Sequence, residues 1–265
     1  MLRVNEQEYD FEPGFRLRDL ARQIKPSADI FIVNGFPVPD ETLLHDGDNC
    51  WLIKRGELPD FQVMQHMLYA RHTPGVQEKL KNRMVGIMGL GGLGSMVAIS
   101  LARIGVGGLL LADYDVVEPS NLNRQQYFVD QVGMRKTEAM RDNLRRVNPY
   151  LQVDIFDGEL TEDNIPLIFK TIDVLVECFD GAKIKAAALR AAMNFLPDTG
   201  YVGATGLAGY GENNAIITKR IRRNVYLVGD GEAEAKPGQG LMAPRVGIAA
   251  HHQANQVLRI LLGLG

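Results

Sequence analysis

Apolar positions along the chain change their period near residue 84. Before it they come in short groups: Leu2–Val4 and Tyr9–Phe11 flank the polar run Asn5-Glu6-Gln7-Glu8, and Leu17, Leu20, Ala21 and Ile24 then recur at helical spacing. Ile30–Val33 is an unbroken apolar strand that stops at Asn34-Gly35, and the turn Asp46-Gly47-Asp48 feeds another strand over Cys50–Lys54. After Pro59, Phe61, Met64 and Leu68 repeat at spacings of three and four, which predicts a helix to about Arg71, broken by Thr73-Pro74-Gly75. From Met84 the pattern alternates between apolar strands and helices. The strands are predicted at Val85–Met88, Leu109–Ala112, Leu151–Phe156, Val174–Cys178 and Tyr201–Val202, the helices at Ser95–Ile104, Arg135–Val147, Ala182–Phe195 and Arg245–Leu262.

The first order of elements is that of a β-grasp, or ubiquitin-like, unit. The second implies a Rossmann-like α/β fold, an open and largely parallel sheet with helices on both faces. The expected organisation is a β-grasp domain over 1–57, a helical connector over 58–83 and a nucleotide-binding domain over 84–265. A domain of about 55 residues is marginal alone and is expected to dock on the rest of the chain.

Composition narrows the classes of function. The 265 residues are 46% apolar and 23% charged, which excludes a disordered or fibrous chain, and a net charge of −3 gives no support for nucleic acid as the main partner. No apolar run approaches the length of a membrane span, and the N-terminal residues lack the features of a signal peptide, so the expectation is a cytoplasmic protein with no membrane partner. The two cysteines, Cys50 and Cys178, form no CxxC pair, so a four-cysteine zinc site is not expected. Cys178 reads as a small buried residue closing an apolar strand. His251 and His252 are adjacent on a helix, diverge by about 100°, and read as ordinary helix residues. Asp230, Glu232 and Glu234 lack an EF-hand pattern and read as a solvated turn.

The chemistry concentrates after the first parallel strand. Gly89-Leu90-Gly91-Gly92-Leu93-Gly94 is a GxGxxG turn with a strand before it, a helix after it and Asp113 about twenty residues on. Such a turn brings backbone N–H groups against phosphate oxygens, and the acid at the next strand tip can accept from ribose hydroxyls. The fingerprint alone serves NAD and FAD enzymes equally.

The run Asp113-Tyr114-Asp115-Val116-Val117-Glu118-Pro119-Ser120-Asn121-Leu122-Asn123-Arg124-Gln125 resembles the D-x-D-x-V-x-x-S-N-L-x-R-Q signature of the ThiF/MoeB/HesA adenylyltransferases, relatives of the ubiquitin-activating enzymes. Val132-Gly133-Met134-Arg135-Lys136 is similar to that family's V-G-x-x-K, and Glu177-Cys178-Phe179-Asp180 falls at its D-C-x-D-N, with Gly181 in place of the Asn. Tyr69-Ala70-Arg71-His72 looks like its Y-x-R-H, and Gly240–Ile248 like the start of its final helix. The resemblance covers 69–265. Glu234–Gly238 fits a short, thiazole-associated ThiF subgroup, and residues 1–55 resemble a ThiS-type sulfur carrier.

The resemblance implies ATP-dependent adenylation of the C-terminal glycine of a separate ThiS-like carrier ending in Gly-Gly, in thiamine thiazole synthesis. It further implies that Gly89, Gly91, Gly92, Gly94, Asp113, Ser120 and Asn121 line the nucleotide. Arg124 and Lys136 would clamp its phosphates, Asp180 would hold Mg²⁺, and Arg71 would reach into the partner's site of a homodimer. Zinc is not expected. The chemistry suits these residue types: a terminal carboxyl with a pKa near 3.5 is already ionised, so no general base is needed, and the obstacle is charge repulsion. Rival readings are a tRNA-modification dehydratase that adenylates a carboxylate, an NAD/FAD oxidoreductase and a catalytically silent carrier-binding module.

Overall fold

The computed structural model describes residues 1–57, 64–65, 67–233 and 235–265, which divide into two compact units, Met1–Gln77 and Glu78–Gly265.

In the first unit, strands β1 (Leu2–Val4), β2 (Gln7–Tyr9), β3 (Ile30–Val33), β4 (Phe36–Pro37) and β5 (Asn49–Ile53) form one sheet in the order β2-β1-β5-β3-β4, with helix α1 (Leu17–Ile24) packed against it. The pair β1/β5 is parallel and the other pairs are antiparallel, as in a β-grasp. Leu2, Val4, Leu17, Leu20, Val33, Leu44, Cys50 and Leu52 make its core. The first hairpin differs from the sequence expectation. Asn5 and Glu6 both take left-handed backbone angles, φ +47° and +72°, so they alone form the turn and β2 begins at Gln7, pairing Tyr9 with Leu2.

Phe61 and the start of the expected connector helix lie outside the described residues. Met64, Gln65 and Met67 are helical, and the Leu68 N–H donates to the Met64 carbonyl before the chain turns at Leu68–Arg71.

The second unit holds a seven-stranded sheet. Its strands are β6 (Met84–Met88), β7 (Gly108–Asp113), β8 (Gln152–Asp157), β9 (Val174–Glu177), β10 (Gly200–Ala204), β11 (Ile217–Arg222) and β12 (Val225–Gly229), in the order β11-β12-β10-β9-β6-β7-β8. All neighbours are parallel except the β11/β12 hairpin. The sequence pattern gave no sign of this hairpin, because the edge strand β11 carries Lys219, Arg220 and Arg222 and has no buried face. The helices are α2 (Val76–Leu80), which begins at the end of the first unit, then α3 (Gly92–Ile104), α4 (Lys136–Val147), α5 (Ile165–Ile168), α6 (Ala182–Phe195) and α7 (Ala243–Leu261).

Helices α3, α4 and α7 pack together, and α5 packs with α6. Both faces of the sheet are therefore covered, which is why its inner strands read as apolar runs with no alternation. Met88, Ala112, Leu175 and Tyr201 point into a cluster with Ile165, Phe169, Ala188 and Ala191. Their strand neighbours Ile87, Leu111 and Val176 are equally buried on the other face. Among the described residues no helix is long and apolar enough to cross a membrane.

Gly86 shows how tightly this layer closes: a Cβ there would lie 2.5 Å from the Phe169 ring. Phe169→Ala should empty a fully buried site and cost about 3–5 kcal/mol of unfolding free energy in urea titration, whereas Leu167→Ala on the exposed side of α5 should stay within about 0.5 kcal/mol.

Candidate nucleotide site

Strand β6 stands between β7 and β9, so the chain leaves it in one direction and returns on its other side. Such a switch point opens a crevice beyond the carboxyl ends of the strands. Three segments meet there: the turn after Met88, the segment after Asp113 and the segment after Glu177.

The glycine turn has separate reasons for each glycine. Gly89 takes φ +89°, and a Cβ on it would lie 3.1 Å from the Cys178 carbonyl oxygen, so the turns after β6 and β9 lie against each other. A Cβ on Gly94 would lie 1.9 Å from the Gly89 carbonyl oxygen, and one on Gly92 2.9 Å from Val246 of α7 and 3.6 Å from Arg124. Gly91 is different. A Cβ there would meet nothing closer than the Gln125 amide at 3.8 Å, and Gly91 is the N-cap of α3, with no side-chain cap on the helix N–H groups.

Asp113 ties the turn to the sheet. One carboxylate oxygen accepts the Leu90 N–H at 2.6 Å and the other the Asp115 N–H at 2.8 Å, while the buried Tyr127 hydroxyl donates to the Leu90 carbonyl at 2.8 Å. Each carboxylate oxygen keeps a further lone pair.

The next segment folds back. A 3-10 turn over Pro119–Asn121 is closed by the buried Asn121, whose side-chain oxygen accepts the Glu118 N–H, and exposed Ser120 donates to the Glu118 carboxylate. The Arg124 guanidinium donates to the Ser120 carbonyl at 3.1 Å and to Asn123 at 2.9 Å. Lys136, at the start of α4, donates its backbone N–H to the Asp115 carbonyl. Its side chain is only 7% exposed, and the ammonium lies 2.7 Å from the half-exposed Asp115 carboxylate.

After β9 the site depends on an ion pair between a buried Glu177 and a half-buried Lys185 that the sequence pattern does not mark. Glu177, 2% exposed, accepts from the Lys185 ammonium at 2.8 Å and from the Phe179 N–H at 2.7 Å. Burial pushes its carboxyl up, against the opposing pull of Lys185 and of the Phe179 and Ala204 N–H groups. Gln253 of α7 donates to the Glu177 carbonyl at 2.9 Å. Asp180 follows on the exposed end of this turn, and among the described residues its carboxylate has no hydrogen-bonding partner. Cys178 is buried, and burial together with Glu177 pushes its thiol up, away from the thiolate form a nucleophile needs.

The structure thus gathers the Gly89–Gly94 turn, Asp113, Arg124 and the Asp115/Lys136 pair around one strand end, with the turn that leads to Asp180 beside Gly89. Arg71 is exposed and belongs to the first unit. His251 and His252 make separate contacts, to the Gly247 carbonyl and to Thr218, as expected of ordinary helix residues.

One expectation is corrected. Asp230 is not a solvated turn residue: its carboxylate lies 2.6 Å from the Arg245 guanidinium, and both side chains are largely buried. Arg245 also donates to the Gly211 and Glu212 carbonyls, and Asp230 accepts the Glu232 and Ala233 N–H groups. The acidic spacing drew attention to the loop, but the partner lies fifteen residues on, where the sequence marks nothing. Glu234 lies outside the described residues.

The fold and its glycine turn are those of a Rossmann-type α/β domain. Residues 64–265 match the ThiF family, and residues 1–56 match the ThiS-like ubiquitin family. The molybdopterin-synthase adenylyltransferase of Haemophilus influenzae is 31% identical over 199 residues, which is 71% of this chain and 79% of that one. Its counterpart in Escherichia coli is 31% identical over 203 residues, 71% of this chain and 77% of that one. Among solved structures, the tRNA N6-threonylcarbamoyladenosine dehydratase of E. coli in complex with ATP superposes with a TM-score of 0.69 at 21% identity, covering 78% of this chain and 97% of that one, a likeness of fold. The chain belongs to the ThiF family and is an enzyme of the adenylyltransferase class.

Asp230→Asn leaves a buried guanidinium without its counter-charge, and should cost about 3–5 kcal/mol at neutral pH. Burial raises the Asp230 pKa, but the Ala233 and Glu232 N–H groups and Arg245 outweigh it and hold the carboxyl below its usual value. Its contribution is therefore complete above the unfolded pKa of about 3.9 and is lost as pH falls through the lower folded value. Urea titrations of both proteins should differ fully at pH 7 and converge toward pH 2.

Proposed function

We propose that this chain uses ATP to adenylate the C-terminal glycine of a separate ThiS-like sulfur carrier ending in Gly-Gly, acting as a cytoplasmic homodimer in thiamine thiazole synthesis. The observation that carries the reading is the Lys136 ammonium: a cation almost withdrawn from water, anchored through Asp115 beside the acid that holds the glycine turn. A cation largely withdrawn from water stabilises developing negative charge far better than one in bulk water. The named adenylyltransferase relatives and the ThiS-like match of the N-terminal residues support the class of substrate.

In this reading a carrier carboxylate oxygen forms a bond to the α-phosphorus of ATP. The bond to the bridging oxygen breaks, and pyrophosphate leaves with its electron pair. The N–H groups at Gly91–Gly94 meet phosphate oxygens, and the free space over Gly91 lets them approach. Asp113 takes the ribose hydroxyls on its remaining lone pairs, with Ser120 and Asn121 shaping the adjoining wall. Arg124 and Lys136 neutralise the phosphates.

Among the described residues no three His, Cys, Asp or Glu side chains group into a metal site. A Mg²⁺ ion suits the site as a ligand of one protein carboxylate plus substrate phosphate oxygens, and the unengaged Asp180 is the group that would hold it. Bound there, Mg²⁺ would supply charge neutralisation to the leaving pyrophosphate. The buried, protonated Cys178 gives no opening for a thioester with the carrier.

The test is exchange of labelled pyrophosphate into ATP. Exchange should require a carrier ending in a free Gly-Gly, and Lys136→Ala and Asp180→Ala should each lower it about 10²-fold. Carrier-independent exchange rejects the reading, and a loss below about threefold removes that residue from catalysis. A second measurement addresses Arg71 and the dimer: Arg71→Ala and Asp180→Ala proteins, each strongly impaired but with measurable residual exchange, should regain part of the exchange when co-assembled. No recovery in verified mixed dimers would remove Arg71 from the partner's site.

A further inference from the structure

The β-grasp sheet is apolar on both faces. Along β3, Phe31 and Val33 face the cluster with α1, while Ile30 and Ile32 face away; along β5, Cys50 and Leu52 share the α1 side and Trp51 and Ile53 the other. The second face is not open. Ile32 and Trp51 are buried together with Ala70, and Met67 packs beside them with Ile30 and Ile53. The cover is the segment just before Arg71.

A second contact holds the same segment. Asn34 and Gly35 form the β3–β4 turn, both with left-handed φ. A Cβ on Gly35 would lie 2.7 Å from the His72 carbonyl oxygen and 3.7 Å from that of Arg71. The turn therefore rests directly on the backbone of these two residues. Burial also pushes the His72 imidazole toward its neutral form. Lifting the segment would return Ile32 and Trp51 to water, so the hydrophobic effect keeps it seated. Gly56, meanwhile, continues through a peptide bond to Glu57, so its carbonyl carbon is an amide and not the free carboxylate that adenylation needs.

We propose that the β-grasp unit is a fixed seat for the segment bearing Arg71, with Gly35, Ile32 and Trp51 as positioning residues, and that it does not serve as a carrier. The inference rests on the reading of Arg71 as a catalytic group. A long, flexible arginine side chain delivers its charge reproducibly only when its backbone is held, and a displacement of about 1 Å is enough to cost a large factor in rate.

Matched glycine substitutions in the full-length protein test this. Gly35 and Gly47 share φ +87°, so alanine strains both turns alike, but a Cβ on Gly47 meets nothing within 4 Å. Gly35→Ala should lower kcat for pyrophosphate exchange by about tenfold or more with the KM for ATP within about twofold, and Gly47→Ala should change kcat by less than about twofold. In an Arg71→Ala background, Gly35→Ala should add less than about twofold, since both act through one group. Trp51, the single tryptophan, reports the seat directly: its emission should shift to the red in Gly35→Ala and not in Gly47→Ala. Ala70→Gln changes the covering segment without touching the sheet and should reproduce the Gly35→Ala result if that variant fails to fold.

Equal exchange by the two glycine variants overturns the proposal, as does a Gly35→Ala loss that is the same with and without Arg71. Full activity of Arg71→Ala would instead reject the catalytic reading of Arg71, and the Trp51 shift alone would then decide whether the seat exists.

Discussion

A β-carbon on Gly94 would sit 1.9 Å from the Gly89 carbonyl oxygen, and the rest of the nucleotide site depends on that forbidden overlap. Because no side chain intervenes, the first turn of α3 closes directly on the end of β6. Its uncapped N–H groups then open on the crevice between β6 and β9. Asp113 locks the arrangement from the neighbouring strand through the Leu90 N–H, and Tyr127 holds the Leu90 carbonyl from the other side. Positive potential is thus created by backbone geometry first, and Lys136 and Arg124 add to it.

Buried ion pairs hold the parts that the sheet does not. Glu177 and Lys185 fix the turn after β9 by tying it to α6 and to the end of β10, where the Lys185 ammonium also donates to the Ala204 carbonyl at 2.9 Å. Asp230 and Arg245 do the same for the loops after β10 and β12, joining them to the first turn of α7. Each pair is supported by additional backbone hydrogen bonds, which offset part of the desolvation of its buried members. Consequently the catalytic candidates at the surface, Asp180 above all, stand on loops whose backbones are fixed.

The N-terminal unit obeys the same economy of surface. A β-grasp sheet of five short strands has one face for its helix, and the other must be covered or shed its apolar residues. Here Ile32 and Trp51 remain apolar and are covered by Met67 and Ala70 of the same chain. A fold that resembles a sulfur carrier has its second face closed by the connector.

Much of this was legible in the sequence because it is local. The 3.6-residue period predicted Ala182–Phe195 to its bounds and Lys136–Val147 to within one residue, and the glycine turn with Asp113 pointed to the strand end around which the candidate site is built. The first hairpin was misjudged, because a two-residue turn with φ +47° and +72° at Asn5 and Glu6 is a backbone choice that polarity does not reveal. The hairpin β11–β12 was missed because an exposed basic edge strand has no period to read. The roles of Glu177, Lys185, Asp230 and Arg245 were invisible for another reason: a charge is drawn into the interior only when a partner meets it there, and these partners are joined by packing between elements. The sequence by itself determined the α/β class, the glycine turn and the residue types gathered at the candidate site. Only the tertiary structure decided which charges are buried as pairs and which face of the β-grasp sheet is closed, because both depend on contacts between segments whose approach no local pattern encodes.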